Sequence, residues 1–482
     1  MTSLHSLAQS AMLGAGSDPR TLLRDTVRSG VGELGGFMPL AIETKPDACP
    51  AETKPQMSAH AAGLFRRILG GEFEATLPEF LQLAATHHLL VPPETIPALL
   101  GLGRRELRSL VIQVTGERGK WLAAHNPAWA YALEREPQDA WEHGAPLERL
   151  SALEQVRAVD PGQARAWVQS TWEQDSPEDR ASFLGAFSTG LGMDDEPFLD
   201  SCLDDRRKEV RDAARSLLMC LEGSRFVQRN WERARALIRL EPKRLFGKES
   251  LHVTLPEGLN PAAKRDGLGG ALLRKQLGEK ANLLAQTLSF IPPALWAREF
   301  DRSPEKLIAA ALDCEWKEAL LLGWQLAPQH VQDVAWAEAI ISSWVTGRGQ
   351  NVIDADHFDG IAMLVRAEKL ETLVQAYVKP LVGELDDKNR LIFLLEKYRR
   401  PWTARMARMV VQSAQRQSGA VRYYLPQVLP ALALWMPPEL AAEFSSGWAA
   451  EPKGPWRDRI DMFLMTLNFR NEIQESLKQE AP

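Results

Sequence analysis

The chain contains 482 residues, of which 45% are hydrophobic and 25% are charged, which are ordinary values for a water-soluble globular protein. Its 57 basic and 63 acidic residues give a formal net charge of −6, which argues against a protein that binds nucleic acid over much of its surface. The sequence shows no signal peptide, no apolar run of the roughly 18 residues that a membrane span needs, and no CxxC spacing among its cysteines. We therefore expect a cytoplasmic protein without a membrane partner.

The first 57 residues divide into two predicted segments. Residues 1–41 predict one or two N-terminal helices, and residues 42–57 predict a Pro-rich linker because they contain ETKP twice. Gly30, Gly32 and Gly35 satisfy G-x-G-x-x-G, but a helical pattern rather than a buried strand precedes them. These glycines therefore indicate the end of a helix, and we expect no cofactor.

Residues 58–240 predict the N-terminal half of a helical repeat. Apolar residues recur at i, i+3 and i+4 in successive short segments, and Asp-Pro or Ser-Pro pairs mark several helix starts. Short antiparallel helix pairs that follow one another in this way are typical of a solenoid. We therefore predict an all-α solenoid of antiparallel helix pairs.

The segment LDDRRKEVRDAARSLL illustrates the repeat. Asp204 and Asp205 precede a helix in which Val210 begins an apolar stripe, and Arg211 follows it. Aspartates before a VR pair resemble the second helix of HEAT-like repeats. We expect the two acids to cap this helix and Arg211 to reach an acid or a carbonyl of the neighbouring repeat.

The helical pattern lapses between residues 241 and 270. This connection contains the one segment that we predict to be a strand, near Ser250–Leu255, so a small irregular or β-containing insertion is expected. Residues 271–482 predict the C-terminal helical half. Its last helix is expected to cap the repeat with a polar outer face.

Known catalytic motifs are missing from the sequence, which contains neither HExxH nor G-x-S-x-G. The segment DADHFDG clusters Asp354, Asp356, His357 and Asp359, and clustered carboxylates suggest a divalent cation. An EF-hand loop would need a glutamate at its twelfth position, where this chain has Val365. We favour a capped helix start here, expect no catalytic and no metal-binding residues, and keep a metal-dependent enzyme as an alternative.

A basic strip is predicted over residues 397–424. No acidic residue occurs between Lys397 and Pro438, and aromatic residues interleave with the basic ones. At 100° per residue, several of the arginines share one helix face, which suits phosphates or an acidic partner. The alternative is a solvated face that is neutralised by acids elsewhere in the fold. The candidate partner- or phosphate-binding residues are Arg399, Arg400, Trp402, Arg405, Arg408, Arg416 and Arg422.

Three internal segments resemble one known family. They are GERGKWLAAHNPAW at 116–129, KRDGLGG at 264–270 and GEKANLLAQTLSFIPPALW at 278–296, and SAMLGAGSDP near the start also fits, with Ala15 where a threonine is usual. The chain is similar over most of its length to an uncharacterised bacterial helical family that is encoded beside MoxR-type AAA+ ATPases and von Willebrand A-domain proteins. The resemblance implies a role in an ATPase-driven assembly and carries over no functional residues.

These observations favour a non-catalytic scaffold or adaptor that binds a protein, with the MoxR-type ATPase or the A-domain protein as the implied partner. A HEAT-like nucleic-acid-binding protein, similar to some DNA glycosylases and using the basic strip, is the main alternative. The net acidity of the chain weighs against that alternative.

Overall fold

A computed structural model describes residues 19–34, 47–133, 136–241, 249–349, 352–353, 357–377, 390–416, 425–448 and 455–478. The chain forms two compact units, Met1–Ala51 and Glu52–Pro482. The boundary between them lies inside the segment that we predicted as a linker. In the first unit the described residues form one helix, α1 (Pro19–Leu34), and residues 47–51 belong to no helix or strand.

The second unit begins with short helices that are joined by tight turns. They are α2 (Ala59–Leu69), α3 (Leu77–Thr86), α4 (Ile96–Leu100), α5 (Arg108–Ala124), α6 (Pro137–His143), α7 (Pro146–Val159), α8 (Pro161–Thr171), α9 (Pro177–Ala186), α10 (Glu196–Cys202), α11 (Lys208–Cys220) and α12 (Arg225–Arg235). Proline occupies one of the first two positions in α6 to α10, where its missing N–H costs no hydrogen bond.

A two-stranded antiparallel sheet of β1 (Ile238–Glu241) and β2 (Ser250–Val253) follows, in which Ile238 pairs with Val253. The remaining helices are α13 (Pro261–Arg265), α14 (Glu279–Ser289), α15 (Ala294–Phe300), α16 (Pro304–Leu312), α17 (Lys317–Val331), α18 (Val334–Val345), α19 (Phe358–Ala362), α20 (Ala367–Tyr377), α21 (Arg390–Lys397), α22 (Ala404–Arg416), α23 (Leu425–Leu432), α24 (Ala441–Phe444) and α25 (Pro455–Lys478).

The predicted fold class is confirmed. Helices pack on the next helix and on the next but one, as in α7 with α9, α9 with α11, α16 with α18 and α20 with α22, and this alternation is the pattern of stacked helix pairs. The strand near Ser250 is confirmed as well. The expectation that strand is confined to that neighbourhood was incomplete, because the partner strand β1 continues directly from the helical segment before it.

The last helix does not cap an open end. α25 packs against α23 and α24 and also against α2 and α3 at the start of the same unit. Its residues Phe469, Ile473 and Leu477 are buried in the core that α2 and α3 form. The last helix of the second unit therefore contacts the first two helices of that unit, and the sequence did not predict this contact.

The apolar stripe of α11 is buried as predicted. Val210 and Leu218 are fully inaccessible to solvent, and Asp205 accepts a hydrogen bond of 2.8 Å from the Arg207 N–H at the start of the helix. Asp204 instead pairs with Arg265 at 2.7 Å. The Arg211 guanidinium bonds the carbonyl of Asp205 in its own turn rather than a group in a neighbouring repeat.

Two glutamates fasten one repeat to the next in the same way. Glu196 accepts the backbone N–H of Arg225 at 3.1 Å and its Nε at 2.9 Å, at the start of α12. Glu338 accepts the backbone N–H of Arg366 at 3.1 Å and its Nε at 2.8 Å, next to the start of α20. Each carboxylate thus satisfies an unpaired amide at a helix start and a guanidinium together.

Tryptophans fill the core of the C-terminal half. Trp296, Trp324 and Trp336 are buried, and ring centroids are 6.2 Å apart for the first two and 5.0 Å apart for the last two. Large rings of this kind fill the gaps between helices that cross at an angle. No helix in the described part of the chain combines the length and apolar character that crossing a membrane requires.

Candidate functional site

The first half of the basic strip lies where α21 leads into α22. Arg399 and Arg400 are exposed, and Arg400 donates a hydrogen bond of 3.0 Å to the carbonyl of Met363. Trp402 is buried, with its backbone N–H bonded to the Trp435 carbonyl at 2.8 Å. Its ring is therefore part of the core and is not presented to a ligand.

The arginines of α22 are paired with acids from neighbouring helices. Arg405 lies 3.1 Å from the carboxylate of Glu371 in α20, and Arg408 lies 3.0 Å from the carboxylate of Glu443 in α24. The side chain of Arg416 and the whole of Arg422 lie outside the described residues. The structure thus brings Arg405 and Arg408 onto one helix, each beside an acid, and their role in binding stays a prediction.

The DADHFDG segment is described only in part. Asp354 and Asp356 lie outside the described residues, and the Asp359 carboxylate pairs with Lys397 Nζ at 2.9 Å. Within the described ranges, histidine, cysteine and carboxylate side chains do not gather in threes as a metal site requires.

A groove of about 610 Å³ opens where the last helix, α25, meets the first helix pair of the second unit. This pair, α2 and α3 with the turn between them, is the first repeat. Its walls are the 3-10 turn Glu74–Thr76 before α3, the end of α23 and one face of α25. The residues that line it are Phe73, Glu74, Ala75, Thr76, Pro430, Ala431, Leu434, Asp458, Asp461, Met462, Met465 and Thr466.

The groove exposes apolar side chains that the core does not use. Met462 is 48% exposed and Met465 is 58% exposed, one turn apart on α25. Phe73, which lines the same groove, stacks on Phe469 with ring centroids 4.4 Å apart, and the Arg67 guanidinium lies 4.9 Å from the Phe469 ring. Exposed methionines beside a packed aromatic pair are typical of a surface that binds another apolar surface.

The rim of the groove is acidic. Asp461 pairs with Arg457 at 3.0 Å, one turn earlier on α25. Glu74 and Asp458 form no ion pair with any residue that the structure describes. The groove therefore combines an apolar floor with negative charge that is left unpaired within the described chain.

Sequence reasoning missed this groove because its walls are far apart in the chain. Phe73 and Glu74 come from the first repeat, whereas Met462 and Met465 come from the final helix. The one available signal was DMFLMTL, in which the two methionines fall on the same helix face as Asp458. That signal marks a helix face, but it does not indicate which other segment meets it.

Two buried amides explain one of the motifs on which the family resemblance depends. Asn282 bonds the backbone N–H of Arg274 at 3.0 Å and the carbonyl of Leu277 at 2.7 Å. Gln286, one turn later on α14, accepts the Gly269 N–H at 2.8 Å and donates to the Ala271 carbonyl at 2.9 Å. These side chains fix the backbone between residues 269 and 277, so the segments KRDGLGG and GEKANLLAQ act as one unit.

The motif GERGKWLAAHNPAW at 116–129 also has a structural role. Gly116 adopts a positive φ of 59°, which interrupts α5, and the next two backbone N–H groups donate to the carboxylate of Glu52 at 2.9 Å each. A β-carbon at Gly116 would lie 2.3 Å from that carboxylate, so only glycine fits this contact. The motif thus joins α5 to the segment that precedes α2.

Comparison with known proteins confirms that the chain belongs to an uncharacterised family, whereas the predicted genomic neighbourhood stays a prediction. No curated protein and no solved structure matches the chain. One family model, described as a family of unknown function (DUF5691), matches residues 3–477. Since that match covers nearly the whole sequence and includes each motif discussed above, the chain belongs to this family of unknown function, DUF5691.

Proposed function

We propose that the protein is a non-catalytic helical scaffold that binds a partner protein through the groove between α23, α25 and the Glu74–Thr76 turn. The observation that carries the proposal is the exposure of Met462 and Met465 in a groove that Phe73, stacked on Phe469, also lines. The packing of α25 against α2, α3, α23 and α24 supports this role, because it holds the walls of the groove in place before a partner binds.

The resemblance stated above names the partner that we propose. A MoxR-type AAA+ ATPase or a von Willebrand A-domain protein would bind the scaffold in the cytoplasm, where thiols stay reduced. Nucleic-acid binding through the basic strip is less well supported, since Arg405 and Arg408 already pair with acids and Trp402 is buried.

The test compares two sets of variants with the purified ATPase and A-domain protein of the same genome, using isothermal titration calorimetry. Met462→Gln with Met465→Gln should weaken binding at least tenfold and leave the melting temperature unchanged, because both side chains are about half exposed. Replacing Arg405, Arg408 and Arg416 with glutamate should leave binding within twofold. If neither protein binds, or if the groove variant binds as well as the wild type, the proposal fails.

The nucleic-acid alternative makes a different prediction. Binding to duplex DNA would weaken steeply with salt, with a slope of about −0.9 per phosphate contacted, and would be lost in the arginine variant. Such a result would replace the protein-scaffold proposal with the alternative.

A further inference from the structure

We propose that the groove takes a single amphipathic helix of the partner, with an apolar face toward Met462 and Met465 and a basic polar face. This inference rests on the proposed function, because it states the chemistry of the partner segment that the scaffold binds.

The negative charge at the rim of the groove favours a ligand whose polar face is basic. Glu74 and Asp458 have no ion-pair partner among the described residues, and Asp461 is only partly neutralised by Arg457, whose side chain is 47% exposed. An acidic peptide or a nucleic acid would meet like charge on both sides of the groove. Lysine and arginine side chains from a partner would pair with the unsatisfied carboxylates at the rim.

The secondary structure of the walls favours a helical ligand over an extended one. The walls are helices and one 3-10 turn. In that turn the N–H and the hydroxyl of Thr76 each donate a hydrogen bond of 2.8 Å to the Phe73 carbonyl. No strand edge lines the groove among the described residues, so an extended peptide would find no backbone partners for its own N–H and C=O groups. A helix satisfies these groups internally and presents side chains at i, i+3 and i+4.

The floor of the groove suits apolar anchors of varied shape. Methionine is unbranched and polarisable, so Met462 and Met465 can repack around leucine, isoleucine or phenylalanine. Leu434 and Pro430, both partly buried on the α23 side, extend the apolar floor. The volume of about 610 Å³ falls in the range of about 300–1,000 Å³ that ligand-binding clefts have.

The experiment uses the full-length protein and a labelled helical probe. The probe is an 18-residue peptide of leucine and lysine, with leucine at i, i+3, i+4 and i+7, and its counterpart has glutamate in place of lysine. Fluorescence anisotropy should show binding of the lysine peptide and at least tenfold weaker binding of the glutamate peptide. Glu74→Lys with Asp458→Lys, and separately Met462→Gln with Met465→Gln, should each weaken the lysine peptide at least tenfold.

A charge-matched control separates the groove from general acidity. Glu173→Lys with Glu257→Lys reverses two exposed acids outside the groove, and binding should stay within twofold of the wild type. Equal weakening by the control and by the groove variants would overturn the inference, because the peptide would then follow net charge. Unchanged binding in both groove variants would overturn it as well.

The remaining outcomes separate this inference from the proposed function. A partner protein that needs Met462 and Met465 while the lysine peptide fails to bind would leave the scaffold function standing and refute the basic helix. Groove-specific binding of the peptide, without groove-dependent binding of the ATPase or the A-domain protein, would support the helix site and refute the proposed partners. A dimer in light scattering that the methionine variant dissociates would name a second copy of the chain as the occupant and refute the inference.

Discussion

Arg470 and Glu79 join the last helix of the protein to its first repeat. The Arg470 guanidinium contacts the Glu79 carboxylate through Nε at 2.5 Å and Nη2 at 3.0 Å, and Nη1 donates to the Met436 carbonyl at 2.6 Å. The two residues are 391 positions apart, and Arg470 is 7% exposed. One side chain thus connects α3, α25 and the turn after α23, the elements that also form or flank the groove.

We expect Arg470→Leu to destabilise the second unit strongly. Removing one partner of a buried ion pair costs about 3–5 kcal/mol, and because the Glu79 side chain is 24% exposed we expect a value near the lower end. Urea denaturation followed by circular dichroism measures the loss. Arg66→Leu is the matched control, since its pair with Glu94 is exposed on both sides and should contribute far less than the pair of Arg470. Equal losses would show that the closure does not stabilise the fold.

Replacing Asn282 or Gln286 with alanine should loosen the backbone between residues 269 and 277. Each change leaves a partly buried backbone N–H and at least one carbonyl without the side-chain partner, which we expect to cost about 1 kcal/mol. Hydrogen exchange detected by mass spectrometry should speed up at residues 269–277 before it changes in α14. Lys280→Ala, exposed on the same helix, should leave exchange as in the wild type. Unchanged protection in both amide variants would mean that other contacts hold this loop.

Val210→Asp should be far more damaging than Arg206→Ala. Val210 is completely buried in the stripe of α11, so an aspartate there is either charged without a partner or protonated at a cost of several kcal/mol. Arg206 is exposed in the preceding turn, where substitutions usually change stability by less than about 0.5 kcal/mol. Thermal melting measures both, and similar shifts in midpoint would contradict the assigned burial.

The contrast between α11 and the groove shows which features the sequence could predict. The Val210 stripe is local, because helical periodicity alone places its members on one face. β1 was missed because Ile238 follows α12 without a turn signal, and its pairing with β2 becomes clear only in three dimensions. The contact of Arg470 with Glu79 and the stacking of Phe73 on Phe469 join the first helices of the unit to its last helix. No periodicity within either segment predicts such a meeting.

Lowering the pH should weaken the hydrogen-bonded ion pair of Glu338 and Arg366, which we call the clamp. The side-chain hydrogen bonds from Arg366 lower the pKa of the Glu338 carboxyl below its ordinary value of 4.5, and the backbone N–H of Arg366 adds to this effect against the opposing effect of burial. A depressed folded-state pKa means that the unfolded chain takes up a proton first as pH falls. The stabilisation by this carboxylate is therefore fully present at neutral pH and is lost below about pH 4.5, as the pH falls through the folded-state pKa.

The test measures the free energy of unfolding of wild type and Glu338→Gln between pH 3 and pH 7. The difference between them should be constant near neutral pH, where the wild type is the more stable, and should shrink as the pH falls below about 4.5. Glu305→Gln, at an exposed acid on α16, serves as the control and should show a smaller difference at every pH. A difference between wild type and Glu338→Gln that persists unchanged at pH 3 would mean that the clamp acts through packing rather than through the ionised carboxylate.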